Sequence, residues 1–192
     1  MSWSLGEVKA LAVKAARGGG MPWGMADEAG FAVRWLQANK APGLAALASY
    51  LDWRDGLGEP DYDLCPISLG TAIMDAQRDV PSNLGRVRQP LLLAPYLAGS
   101  MPSGLSLTWD ATEIVVSKVG LVTTASRAVL LTSEAHCQTF PAKAQAGETA
   151  MRAPDSEAEA IKLLEHFAQR TYAPATEASR LSGAGAGTTD NE

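Results

Sequence analysis

The residue types in this chain of 192 residues that are capable of chemistry are few: two cysteines, two histidines and a glycine-rich closing segment. Cys65 precedes Pro66 at the predicted start of a helix, where the helix dipole would favour a thiolate. A thiolate nucleophile also needs a base, and the chain offers His136 or His166, brought from a distance by the fold. His136 and Cys137 cannot form a dyad if they lie in a strand, because successive side chains point to opposite faces. The competing reading of Cys65 is a buried structural thiol, the commoner fate of a lone cysteine. In the segment from Ser182 to Glu192, Gly183, Gly185 and Gly187 alternate with small residues and lead to Thr188, Thr189 and Asp190. Such a run lets backbone N–H groups approach an anion closely. A phosphate-loop or dinucleotide motif is excluded, since those need a strand before and a helix after the glycines. With Arg170, Tyr172 and Arg180 ahead of it, the segment defines a candidate anion site of Arg170, Tyr172, Arg180, Gly183, Gly185, Gly187, Thr188 and Asp190. A flexible polar terminus is the alternative.

Further clusters carry weaker signals. Asp52, Asp55, Glu59, Asp61 and Asp63 crowd carboxylates around Arg54, but only Asp61 and Asp63 fit the alternating spacing of a calcium loop, so a solvated acidic loop is expected. Two cysteines and two histidines so far apart lack a short-range zinc pair, and no metal is expected. Arg78, Arg86 and Arg88 could grip a carboxylate or phosphate bidentately, or simply decorate a loop. Trp3, Trp23, Trp35 and Trp53, with Tyr50, concentrate aromatic surface in the first third of the chain, either as the core of an alanine-rich helical unit or as a ligand or partner surface.

The elements that must position these groups follow from periodicity. Ser4 and Glu7 have capping-box spacing, and Leu5, Val8, Leu11, Ala12 and Ala15 recur at helical intervals up to Gly18-Gly19-Gly20. Met25 to Leu36 carries a second helical stripe, and Leu44, Leu47, Ala48 and Leu51 a third after Pro42. Gly30 and the many alanines should let these helices approach closely. Asp52 to Asp63 reads as a loop, Cys65 to Gln77 as a helix, and the stretch to Gln89 as irregular. Leu91 to Ala94 is a buried strand or short helix. Leu105, Leu107 and Trp109 alternate with polar residues, and Thr112 to Ser117 and Val119 to Thr124 follow as β-branched runs, predicting a meander. Ala128 to Leu131 is a strand or a short helix capped by Ser126, and His136 to Phe140 and Glu148 to Ala153 read as further strands. Ser156 with Glu159 predicts a capping box opening a last helix, with Ile161, Leu164, Phe167 and Ala168 inward, which Pro174 cannot continue.

The sum is an α+β protein: an N-terminal helical subdomain over residues 1–58, and a body over 59–192 holding a mostly antiparallel sheet at about 90–153, a C-terminal helix packed on it, and the glycine-rich tail laid across. The two parts could equally form one continuous domain.

The opening SWSLGEVKALAVKAARGGGMPWGMADEAGFAVRWL, the segment LCPISLG at Leu64–Gly70 and the closing RTYAPATEASRLSGAGAGTTDNE resemble the uncharacterised bacterial family known as domain of unknown function 3726. The resemblance implies a small bacterial protein and carries over no catalytic residues, and the alanine-rich, lysine-poor composition agrees with a bacterial origin.

A formal charge of −5 and a pI near 5.1 argue against binding nucleic acid or an anionic membrane. Glu7 and Lys9 interrupt the opening apolar residues, so no signal peptide is read there, and Leu91–Gly99, broken by Pro95, is too short to span a bilayer. With only two cysteines, the expected location is the cytoplasm. The leading expectation is a protein that binds a small anionic metabolite or serves a metabolic enzyme through the C-terminal segment and nearby arginines. One alternative is an enzyme with Cys65 or a histidine as reactive group; another is an interaction subunit that forms a homodimer through the tryptophan-bearing helices. No cofactor is indicated by these residues.

Overall fold

Ser4 opens the first helix as the spacing requires: its hydroxyl accepts from the Glu7 N–H at 3.2 Å, and the Glu7 carboxylate accepts from the Ser4 N–H at 2.8 Å. The computed structural model describes residues 3–57, 64–76, 80–98, 104–142 and 157–172. Helix α1 (Leu5–Gly18) turns back through Gly20, at φ 81°, into α2 (Trp23–Ala38), and α3 (Gly43–Asp55) follows. Val8, Leu11, Ala12, Ala15 and Ala16 of α1 meet Ala26, Ala29, Ala32, Val33 and Leu36 of α2 in one alanine-rich core. Gly30 permits that approach, since a Cβ there would sit 3.2 Å from Lys9 Cγ and 3.3 Å from the Lys9 carbonyl oxygen.

Helix α4 (Pro66–Ala76) leads to strand β1 (Asn83–Arg88), where an irregular stretch is expected from the sequence. Asn-Leu-Gly-Arg-Val-Arg lacks a strand's alternation, and the register is broken between Asn83 and Gly85, with Gly85 at φ 70°. Pairing with a later strand decides the matter: β1 joins the sheet edge antiparallel to β5 (Glu134–Pro141). Between them in the chain come a 3₁₀ turn (Pro90–Leu93) continuing into the single helical turn α5 (Ala94–Leu97), then β2 (Leu105–Trp109), β3 (Thr112–Ser117), β4 (Gly120–Thr123) and the short α6 (Arg127–Leu130). The five strands lie in the order β1-β5-β2-β3-β4, with every pairing antiparallel. The predicted meander is therefore present, and the sheet begins earlier than expected. Register places Leu105, Leu107 and Trp109 beside Val116, Ile114 and Thr112 on one buried face. The residues from Pro90 to Ala98, all buried, link this face to α2 and α4. Tyr96 is central there: its hydroxyl donates to the Glu28 carbonyl at 2.9 Å, and its ring lies where a Cβ on Gly70 would be 2.9 Å from Cε2.

The last helix, α7 (Ala158–Gln169), packs on α1 and α3 rather than on the sheet. Leu164, Phe167 and Ala168 face inward as the spacing predicts. Its N-cap position is Glu157, with no side-chain bond to its own helix; Ser156 lies outside the described residues. The Glu157 carboxylate is instead committed elsewhere. With 5% side-chain exposure, it accepts from the Ala45 N–H in the first turn of α3 at 3.0 Å, from Gln37 Nε2 on α2, and from Arg127 on α6 at 3.4 Å. One carboxylate thereby ties four helices together. The expected strand at Glu148–Ala153 also lies outside the described residues.

Candidate functional site

The packing of α7 on α1 creates a groove among the described residues. Helix α1 turns its apolar stripe to the core, and helical periodicity leaves Gly6, Lys9, Ala10, Val13, Lys14 and Arg17 on its other side. At Gly18 the two helices nearly touch: a Cβ there would lie 2.6 Å from the Phe167 carbonyl carbon and 3.4 Å from the Ala168 nitrogen. This contact sets the C-terminal end of α7, with Arg170, Thr171 and Tyr172, along the flank of α1. Trp23, at the start of α2, also lines it. The groove has a volume of about 710 Å³.

Small residues form its floor and cations its rim. Lys9, Lys14, Arg17 and Arg170 line it, and none of the described lining residues is acidic. Arg17 donates to the Met21 carbonyl and stands 4.2 Å from the centre of the Trp23 ring. Lys14 Nζ donates to the Tyr172 hydroxyl at 3.5 Å and lies 5.8 Å from that ring's centre. Arg170 makes a bidentate pair with Asp55 at 2.6 and 3.0 Å, approaches His166 Nε2 at 3.5 Å and stacks 4.5 Å from the Phe167 ring. The guanidinium holds the Asp55 carboxyl below its usual range, and the same pair raises the Arg170 value. Asp55 thus offsets one cation of the four, while Lys9, Lys14 and Arg17 meet no carboxylate within hydrogen-bonding reach among the described residues.

Of the anion site expected from the sequence, the structure places Arg170 and Tyr172 together on this groove. Arg180, Gly183, Gly185, Gly187, Thr188 and Asp190 lie outside the described residues. Lys9, Lys14 and Arg17 are the groups sequence reasoning missed. Their intervals put them on one side of the first helix, but nothing local shows that a helix from the far end of the chain forms the opposite wall.

The other candidates separate. Cys65 is 1% exposed; its sulfur accepts from the Ser68 N–H at 3.4 Å, and it lies against Tyr50, whose phenol is pushed up by burial. His136 is exposed on β5 opposite Arg86, and His166 is exposed on α7 beside Arg170, so neither base joins the thiol. Cys137 faces the core, and burial pushes its thiol up to about 12. Arg86 and Arg88 are strand residues rather than loop residues, and both bind Glu134, holding its carboxyl below the usual range; Arg88 also stacks 4.6 Å from the Trp53 ring. Arg78 lies outside the described residues, as do Glu59, Asp61 and Asp63. Arg54 is buried and donates to the Gly20 carbonyl at 3.4 Å. The tryptophans do not form the helical core: Trp35 and Trp53 are half-buried, Trp3 and Trp23 are exposed, and only Tyr50 of that group is fully buried. Alanine and leucine fill the interior instead, because helix axes this close leave no room for indoles.

Fold and groove together define an α+β protein with a cationic cleft between α1 and α7. Residues 3–78 match the family model described as Protein of unknown function (DUF3726), so the resemblance carried by the opening segment and by Leu64–Gly70 holds over that range, while the closing segment falls outside it. No curated protein and no solved structure matches the chain. No helix among the described residues is long and apolar enough to cross a membrane.

Proposed function

We propose that this protein is a binding module for a small anionic metabolite, taken up in the groove between α1 and α7. One observation carries the reading: in a chain of net charge −5, Lys9, Lys14, Arg17 and Arg170 converge on one cleft whose described lining contains no carboxylate. Three of these cations come from a single helix that the core holds, so their backbone positions are set before a ligand arrives and only side-chain ordering remains to be met on binding. The cleft is also of the size that small ligands occupy. Burial of Cys65 and its separation from both histidines favour binding over thiol chemistry. The exposed Trp3, Leu5 and Trp23 support a second reading, an apolar surface for a second copy of the chain; a strictly monomeric mass by light scattering excludes it.

A thermal-shift series of the full chain against inorganic phosphate, sulfate and small mono- and dicarboxylates tests the main reading. An anion at 100 times its dissociation constant should stabilise the fold by about 2.7 kcal/mol, a shift of several degrees. The shift should vanish in the Lys9→Gln/Lys14→Gln double variant, in which glutamine keeps the Cγ that lies against Gly30 and removes only the charge. A chain ending at Arg180 measures what the glycine-rich segment adds. If no anion shifts the full chain, or if the double variant responds as the wild type does, the reading fails.

A further inference from the structure

The groove has a ring chemistry as well as a charge, and the two together narrow its occupant. Resting on the anion-binding reading above, we propose that the ligand class is an aromatic carboxylate, its flat ring laid on the small-residue floor against Trp23 and Tyr172 and its carboxylate turned toward Lys14 and Lys9. Trp23 and Tyr172 are the most exposed aromatic side chains among the described residues, at 69% and 61%, and both line this one cleft. Leaving two large rings in water is costly unless something covers them. Each is oriented by a cation already in place, Arg17 at 4.2 Å from the Trp23 centre and Lys14 at 5.8 Å from the Tyr172 centre. Arg17 against one face of Trp23 leaves the other face for stacking, and Lys14, bonded at the Tyr172 hydroxyl, leaves that ring's faces open.

The floor favours a planar body over a branched or alkyl one. Gly6 and Ala10 present backbone and a single methyl, so a flat molecule can lie close to the helix there, while Val13 is the one branched aliphatic side chain among the described lining residues. An alkyl chain would find little complementary wall there. Inorganic phosphate would satisfy the ammonium groups and leave both rings in water; a neutral arene would cover the rings and leave the ammonium groups without a counter-charge. An aromatic acid satisfies both at once.

The test is isothermal titration calorimetry of the full chain with three probes: 1-naphthoate, cyclohexanecarboxylate and inorganic phosphate. Naphthoate should bind about tenfold or more tighter than cyclohexanecarboxylate, the range that ring stacking supplies. Trp23→Ala and Tyr172→Ala should each weaken naphthoate about five- to tenfold and leave cyclohexanecarboxylate within about twofold, and Trp23→Phe should restore most of the loss. Because Trp23 is exposed at the start of α2, its replacement leaves the core intact. Equal binding of the two carboxylates, or naphthoate binding indifferent to Trp23→Ala, overturns the aromatic inference while the anion reading stands. Binding of phosphate alone does the same. If none of the three binds, both fall together.

Discussion

Gly18→Ala is the substitution that most directly probes how the groove is built. In an exposed helix, replacing glycine by alanine is favourable by up to about 1 kcal/mol, through helix propensity and a stiffer unfolded chain. At Gly18 the sign should reverse. The new methyl would overlap the Phe167 carbonyl oxygen and sit 2.6 Å from its carbon, where ordinary contact begins at 3.4 Å, so α7 must retreat by more than 1 Å. The obstacle is backbone, which cannot rotate aside as a side chain would, and the retreat opens the packing of α1 on α7, two helices whose buried residues include Ala15, Ala16, Leu164 and Phe167. Overpacking of this kind costs about 1–3 kcal/mol. For a chain this long each kcal/mol lowers Tm by about 2–4 °C, so a drop of several degrees is expected. The same displacement carries Arg170 and Tyr172 away from Lys14, so any anion that binds the wild type should bind more weakly. Gly24→Ala supplies the control: Gly24 is in α2 with open space around its Cα, and alanine there should leave Tm unchanged or raise it slightly. Differential scanning calorimetry of both variants decides the matter. A Gly18→Ala variant as stable as Gly24→Ala would refute the close crossing of α1 and α7, and with it the geometry on which the groove depends.

Two further outcomes follow from buried groups. Glu157→Gln exchanges an acceptor for an amide that cannot accept from Ala45, Gln37 and Arg127 together, and should lower the urea midpoint by an amount equivalent to about 1–3 kcal/mol; an unchanged midpoint would show that the carboxylate does not organise the helix junction. Iodoacetamide at neutral pH should leave the folded protein unmodified by mass spectrometry and label both cysteines in denaturant, since Cys65 is 1% exposed and the core-facing Cys137 thiol is raised to about 12. Rapid labelling of native Cys65 would return the thiol chemistry to contention.

Much of this architecture is local in origin. The capping box at Ser4 and Glu7, the apolar stripes of the first three helices, the alternation of Leu105, Leu107 and Trp109, and the inward set of Leu164, Phe167 and Ala168 are short-range patterns that chain stereochemistry converts into helix or strand with little help from elsewhere. Arg170 and Tyr172 were legible as a polar pair near a helix end for the same reason. What the sequence could not determine alone are the facts created by contact between distant segments. Asn83–Arg88 is a strand only because β5 offers it hydrogen-bonding partners, and its arginines serve Glu134 rather than a ligand. The exposed tryptophans are excluded from the core by the close approach of alanine-rich helices, a spacing set by Gly30 against Lys9 and Gly18 against Phe167. Glu157 stands at a helix start in sequence but serves four helices in space. The groove itself exists only because α7 lies along α1, bringing Tyr172 to Lys14 across 158 positions of chain. Local periodicity fixes which way each side chain turns on its own element; which other element it then meets is decided by packing.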